Sequence, residues 1–182
     1  MYKSFGPLSI AIAWLALGLL VYQARGDKTK TFSKIAAADR RAYMRMAILQ
    51  SIIFPMYFIF IVAWFVPTFH LPVLFTVLNG LASLALLVAA WVPDTGGVKA
   101  KIHGAAAYPA YGFFIPILVY MATCSMVGSF ARIFSGLAAT YMLIGGSYLL
   151  FAPKARQHVL PIQALFLLSF HASILFSAYL RV

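Results

Sequence analysis

The chain has 182 residues, 64% of them hydrophobic and only 9% charged, with a net charge of +11 and a mean hydropathy of +0.94. Such a composition excludes a water-soluble globule and leaves no room for a separate soluble catalytic or nucleotide-binding domain. In a soluble protein the positive charge would point to nucleic acid, but here the cations lie in a few segments between long apolar stretches, so no nucleic acid partner is expected.

A helix needs roughly 20 apolar residues to cross a hydrocarbon core of about 30 Å. Stretches near 6–24, 44–66, 72–92, 104–126, 132–152 and 160–181 meet that requirement. The expected fold is all-α, a polytopic transmembrane helix bundle of six spans forming one integral membrane domain over 1–182. Arg25, Lys28, Lys30, Lys34, Arg40, Arg41 and Arg45 lie between spans 1 and 2, Lys99 and Lys101 between spans 3 and 4, and Lys154 and Arg156 between spans 5 and 6. Only Lys3, Arg132 and Arg181 fall on the other face. That asymmetry is the positive-inside pattern, and it places the N-terminus and the C-terminus both outside a bacterial cytoplasmic (inner) membrane.

In chain order, the first span is almost uniformly apolar, with Trp14 near its middle. Its apolar run is long and lacks a small-x-small cleavage pair before Arg25, so it reads as a span and not a signal peptide. A midspan tryptophan faces other helices and seeks a partner for its indole N–H. The basic segment Arg25–Arg45 follows. Ser33 is expected to cap an amphipathic helix that runs on into span 2, its cations attracted to anionic headgroups. Asp27 and Asp39 balance charge within this segment. Span 2 carries Gln50, Ser51 and Pro55, and the proline is expected to kink it.

Span 3 holds Thr76, Asn79, Gly80 and Ser83 at i, i+3, i+4 and i+7, a small, polar stripe of the kind that forms helix–helix contacts. Span 4 contains Pro109, Gly112 and Pro116 and is the least regular. Span 5 shows a small-residue seam of Ser135, Ala138, Ala139, Met142, Gly145 and Gly146. Span 6 carries Ser169, Ser173 and Ser177 at i+4 spacing, able to bond their own helix carbonyls and to tolerate lipid.

Chemistry-bearing residues are scarce. The chain has no glutamate and three aspartates, Asp27, Asp39 and Asp94, which excludes paired-carboxylate catalysis within the membrane and a carboxylate-rich metal site. Cys124 is the only cysteine, which excludes an internal disulfide. No catalytic residue, metal site or cofactor is assigned. Asp94 follows Pro93 and precedes Thr95-Gly96-Gly97, so it reads as the start of a turn, bonding nearby amides or Lys99 and Lys101. A functional alternative pairs it with His103 at the start of span 4 for acid–base work. His171 lies about 17 Å deep, near the midplane, where ionisable residues face a bundle interior or a wet cavity. It should point inward, with Asn79 or Thr140 at a similar depth as partner. His103 and His158 share a face, but no two spans offer facing midspan histidines, so haem is excluded.

The stretch Ala89-Ala90-Trp91-Val92-Pro93-Asp94-Thr95, followed by Ile102-His103-Gly104-Ala105-Ala106 and a proline-bearing helix, resembles a bacterial membrane family catalogued as domain of unknown function 998. Its layout is similar to the Frag1/DRAM/Sfk1 type. The C-terminal Ser177-Ala178-Tyr179-Leu180-Arg181 fits the same pattern, and the likeness covers the second half of the chain. Members often have a further histidine where this chain has Ala105-Ala106-Ala107-Tyr108. The resemblance implies a bundle of six to eight helices and no established activity, and it draws attention to Pro93, Asp94 and His103.

The sequence thus leads to a non-enzymatic integral membrane protein that binds lipid or a membrane partner, with a membrane protein or a second copy of the chain as possible associates. A small transporter or proton-coupled carrier using His171 is the first alternative. A membrane-embedded enzyme using Asp94 and His103 at the cytoplasmic interface is the second.

Overall fold

The computed structural model describes residues 2–23 and 27–180; the cations Arg25 and Arg181, and the Arg156 side chain, lie outside the described residues. With no water in a bilayer core to satisfy free backbone groups, an apolar chain of this kind must close its hydrogen bonds within helices. Among the described residues there is no strand. The helices are α1 (Phe5–Gln23), α2 (Phe32–Ala37), α3 (Arg40–Phe60), α4 (Val66–Phe69), α5 (Val73–Trp91), α6 (Gly97–Thr123), α7 (Ser129–Phe151) and α8 (Val159–Tyr179). A π-helical turn, Ile61–Phe65, joins α3 to α4. Six segments are long and apolar enough to cross a membrane: Tyr2–Gln23, Arg40–Phe69, Val73–Trp91, Gly97–Thr123, Ser129–Phe151 and Val159–Tyr179. Large apolar side chains such as Leu15, Ile52, Leu84, Ile133, Leu137 and Leu165 stand exposed around the bundle, a surface that only lipid would cover. The chain is a multi-pass integral membrane protein.

The second span is longer than the sequence suggests, running through the π turn to Phe69. Pro67 explains the irregularity. It has no N–H to offer the Ala63 carbonyl, and the ladder re-registers so that the Val66 N–H donates to the Ile61 carbonyl, five residues back. His70 then ends α4 in the left-handed conformation, with φ of 49°.

The basic segment also departs from expectation. Its helix is capped by Thr31, whose hydroxyl accepts the Lys34 N–H at 3.2 Å, and not by Ser33. It does not run into the second span either. Asp39 adopts an extended conformation and accepts the Arg41 N–H at 2.9 Å, so it caps α3 and breaks the chain between the two helices. A residue read as charge balance is a helix start. Asp27 closes a local turn, accepting from the Thr29 hydroxyl at 2.7 Å and pairing with Lys30 at 3.0 Å. These bonds, the Thr29 hydroxyl first, push its carboxyl down to about 2.

The helices form a ring in which α1 packs on α3, α3 on α5, α5 on α6, α6 on α7 and α7 on α8, with α8 returning to α1 and α6. Two glycines permit the tightest approaches. A Cβ on Gly6 would meet the Phe60 ring at 2.8 Å, and one on Gly145 would meet Phe166 at 2.8 Å. The α7 seam Ser135, Ala138, Ala139, Met142 and Gly145 is buried. The serine side of α8 is buried too: Ser173 and Ser177 are packed inside the bundle, each bonding its own helix at 2.8 Å, where tolerance of lipid was expected.

Both described chain ends lie at one end of the bundle, since the Tyr179 hydroxyl donates to the Lys3 carbonyl at 2.7 Å. The Lys3 ammonium sits over the rings of Trp64 and Tyr179, 5.2 and 4.7 Å from their centroids. We call this the terminal end. The opposite, loop end holds α2, the α5–α6 turn and the 3-10 turn Pro153–His158, where the Leu160 N–H reaches the Lys28 carbonyl at 3.2 Å.

Candidate functional site: a cavity open towards the loop end

The terminal half of the bundle is packed around phenylalanines, apart from an open depression among Thr68, Ser125, Gly128 and Arg132. Phe60, Phe65 and Phe75 are fully buried, with Phe65 4.8 Å from Phe69 and stacked on Phe75 at 5.9 Å between centroids. The loop half encloses a cavity of about 180 Å³. Its walls come from α1 (Ser9 to Leu20), α3 (Tyr43 to Tyr57), α5 (Asn79 to Ala90), α6 (His103 to Phe114) and α8 (Gln163 to His171), while α2 contributes Phe32, Ser33 and Ala36 at the mouth. The lining stretches on α1, α5 and α6 each cover about eleven residues, so the cavity runs about 16 Å along the bundle axis at ~1.5 Å per residue. It is a slot from the loop end to mid-bundle.

The sequence explains why the slot stays open. Small residues on facing helices, Ala13, Ala82, Ala89 and Ala107, line it where larger ones would fill it. At its closed end, Phe114 and Phe170 stack at 4.1 Å between centroids and join α6 to α8. Among the described residues the lining contains no Lys, Arg, Asp or Glu. It is largely apolar with a few polar side chains, the usual make-up of a small-molecule site.

Of the four residues singled out from the sequence, three line this slot: Asn79, His103 and His171. Asn79 is buried, donates to the Phe75 carbonyl at 2.9 Å and accepts from the Tyr57 hydroxyl at 3.3 Å. His171 takes neither of the partners anticipated for it. Its Nδ1 accepts the Trp14 indole N–H at 3.1 Å, so two midspan polar residues of α1 and α8 satisfy each other. Thr140 is exposed and bonds the Gly136 carbonyl of its own helix. With Nδ1 as acceptor, the proton of a neutral His171 ring sits on Nε2.

His103 is buried, and its Nδ1 lies 2.9 Å from the Ala89 carbonyl and 2.8 Å from the Val92 carbonyl. Both partners are acceptors, so Nδ1–H donates and Nε2 of the neutral ring is an acceptor. The bond secures the last turn of α5, whose terminal carbonyls have no helical partner. Asp94 does not pair with His103. Its carboxylate takes part in no hydrogen bond or ion pair among the described residues, and the turn closes through the Thr95 N–H to the Pro93 carbonyl at 2.9 Å. Gly96 and Gly97 then take φ of 93° and 58°, which only glycine adopts easily.

Other residues of the site carry no distinctive motif. The Tyr43 hydroxyl donates to the Trp91 carbonyl, and the Trp91 indole N–H donates to Ser51 at 2.9 Å, so α3 and α5 are tied at the loop end. The Phe32 N–H donates to Gln163 Oε1 at 3.2 Å, which fastens α2 over the mouth. Gln50 lines the slot with its buried Oε1 unpartnered. The signal available in the sequence was a glutamine inside each of two apolar spans, where a primary amide has no cheap alternative to a partner. Among the described residues no three His, Cys, Asp or Glu side chains gather into a metal-binding group.

No protein-family model, no curated protein and no solved structure matches this chain.

Proposed function

We propose that the protein is a non-enzymatic bundle of the bacterial cytoplasmic membrane that holds an uncharged, largely apolar amphiphile in its loop-half cavity. The observation that supports this most is the lining itself: a slot about 16 Å long on the helical rise, apolar along its walls and, among the described residues, free of charged side chains. An ionic ligand there would lose its hydration without a counter-charge, a cost of several kcal/mol, whereas an alkyl chain with a neutral head would not. No hydrogen bond or ion pair joins Asp94 to His103 among the described residues, so that pair lends the enzyme reading no support.

In this reading the loop end faces the cytoplasm and both chain ends face outward, as the cation distribution suggests. Lys28, Lys30, Lys34, Arg40, Arg41 and Arg45 then ring the mouth and attract anionic headgroups at about 1 kcal/mol each. A carrier that passes such a molecule through the bundle is the second reading. It is favoured by the cavity reaching His171 and Asn79 at mid-bundle.

The test is mass spectrometry of lipid retained by the purified protein, comparing wild type with Ala107→Phe, which places a ring in the slot. The reading expects a neutral lipid near one per protein in wild type and its loss in the variant. A wild-type protein without bound lipid, or equal retention by the variant, would overturn it.

A further inference from the structure

The polar groups along the slot differ in how they are satisfied, and the difference gives the ligand a chemistry and a direction. At the closed end, Ser9 donates to the Gly6 carbonyl at 2.8 Å, Tyr57 and Asn79 bond each other, and His171 takes the Trp14 N–H. These groups have found partners within the protein. Towards the mouth the pattern changes. Gln50 makes no side-chain hydrogen bond among the described residues, and its Oε1 is buried. His103 spends Nδ1–H on two carbonyls and leaves Nε2 as an acceptor.

Both groups lie at one level. Ser51, next to Gln50 in the chain, bonds the Trp91 indole, and His103 bonds the carbonyls of Ala89 and Val92 on either side of Trp91. A buried amide left unmet is rare, because its desolvation goes uncompensated. The amide offers both a donor and an acceptor edge, and the imidazole of His103, at the same level of the slot, offers an acceptor.

We propose that Gln50, with His103 at its level in the slot, binds the hydroxyl head of an uncharged single-chain amphiphile, whose chain lies along the slot towards Phe170 and His171. A hydroxyl matches this pair because it donates and accepts at one atom. A carboxylate would meet no cation among the described residues that line the slot, and an ether could accept but not donate. The inference rests on the cavity reading above and adds the identity and position of the head group.

The experiment uses the full chain in lipid nanodiscs and three probes of one chain length: dodecanol, dodecyl methyl ether and dodecanoate. Wild type should bind dodecanol about tenfold more tightly than either other probe. Gln50→Leu should lose that tenfold preference and bind dodecanol and its ether alike. The substitution removes an unsatisfied amide, so the variant should fold with an unfolding midpoint at or above wild type. Equal affinity of wild type for dodecanol and its ether, or an unchanged preference in Gln50→Leu, would overturn the head-group proposal and leave the cavity reading standing. Failure of wild type to bind any of the three would overturn both.

Discussion

The two halves of this bundle use the same kinds of residue to opposite ends. In the terminal half, a π turn set by Pro67 and a run of phenylalanines pack the centre closely: Phe60, Phe65 and Phe75 are fully buried and the Gly6 contact has no room for a methyl group. In the loop half, alanines on facing helices leave a slot, and the polar groups around it are in part unspent. Without a hydrophobic driving force between helices in lipid, packing and polar contacts hold a bundle together. The solid half therefore supplies stability, and the hollow half is free to bind.

The comparison is broken most easily in the solid half. Phe65→Ala removes a fully buried ring that stacks on Phe75 and meets Phe69 at a tilt, and should cost about 3–5 kcal/mol in reversible unfolding from mixed micelles. A ring placed by Ala131→Phe, at a fully buried position on α7, should cost about 1–3 kcal/mol by overpacking. The matching change in the slot, Ala107→Phe, should leave stability within about 1 kcal/mol of wild type in the same assay, because it enters existing space. Equal costs for the two alanines would erase the distinction between the halves.

Smaller effects sharpen it. Trp14→Phe and His171→Leu, measured singly and together, should show a coupling of about 0.6–1.7 kcal/mol, the range for polar contacts between membrane helices. The smallest concerns Asp27 in the basic loop. Its carboxyl is held at about 2, below its ordinary 3.8, so its bonds to Thr29 and Lys30 support the native state in full above the ordinary value, and that support is lost as pH falls through about 2. Asp27→Asn should remove this part of the acid dependence of the thermal midpoint by lowering the neutral-pH midpoint slightly and leaving the midpoint in strong acid unchanged.

The sequence made the membrane architecture legible because hydropathy is summed over some twenty residues per span, and no single contact decides it. The α7 seam was legible for a similar reason, since small residues at helical spacing mark close approach. The re-registering at Ile61–Phe65 was not, because attention fell on Pro55 while Pro67 disturbs the ladder four residues upstream of itself. Asp39 looked like one charge among many, and only its extended backbone distinguishes it as a cap. The slot could not be read at all, because it depends on which alanines of α1, α5 and α6 face one another. Trp14 and His171 were each recognisable as seeking a partner, yet their meeting across 157 positions depends on the ring closing α8 onto α1.

The most direct test of a chain-holding cavity uses Trp14, which bonds His171 at the closed end of the slot. With Trp64→Phe and Trp91→Phe it becomes the sole tryptophan, and dodecanol brominated either beside the hydroxyl or at the far end of the chain can be tested as a contact quencher. The account predicts stronger quenching by the far-end bromine and loss of that difference when Ala107→Phe is added. Equal quenching by the two probes, unchanged by Ala107→Phe, would show that Trp14 senses only bulk lipid and would contradict it.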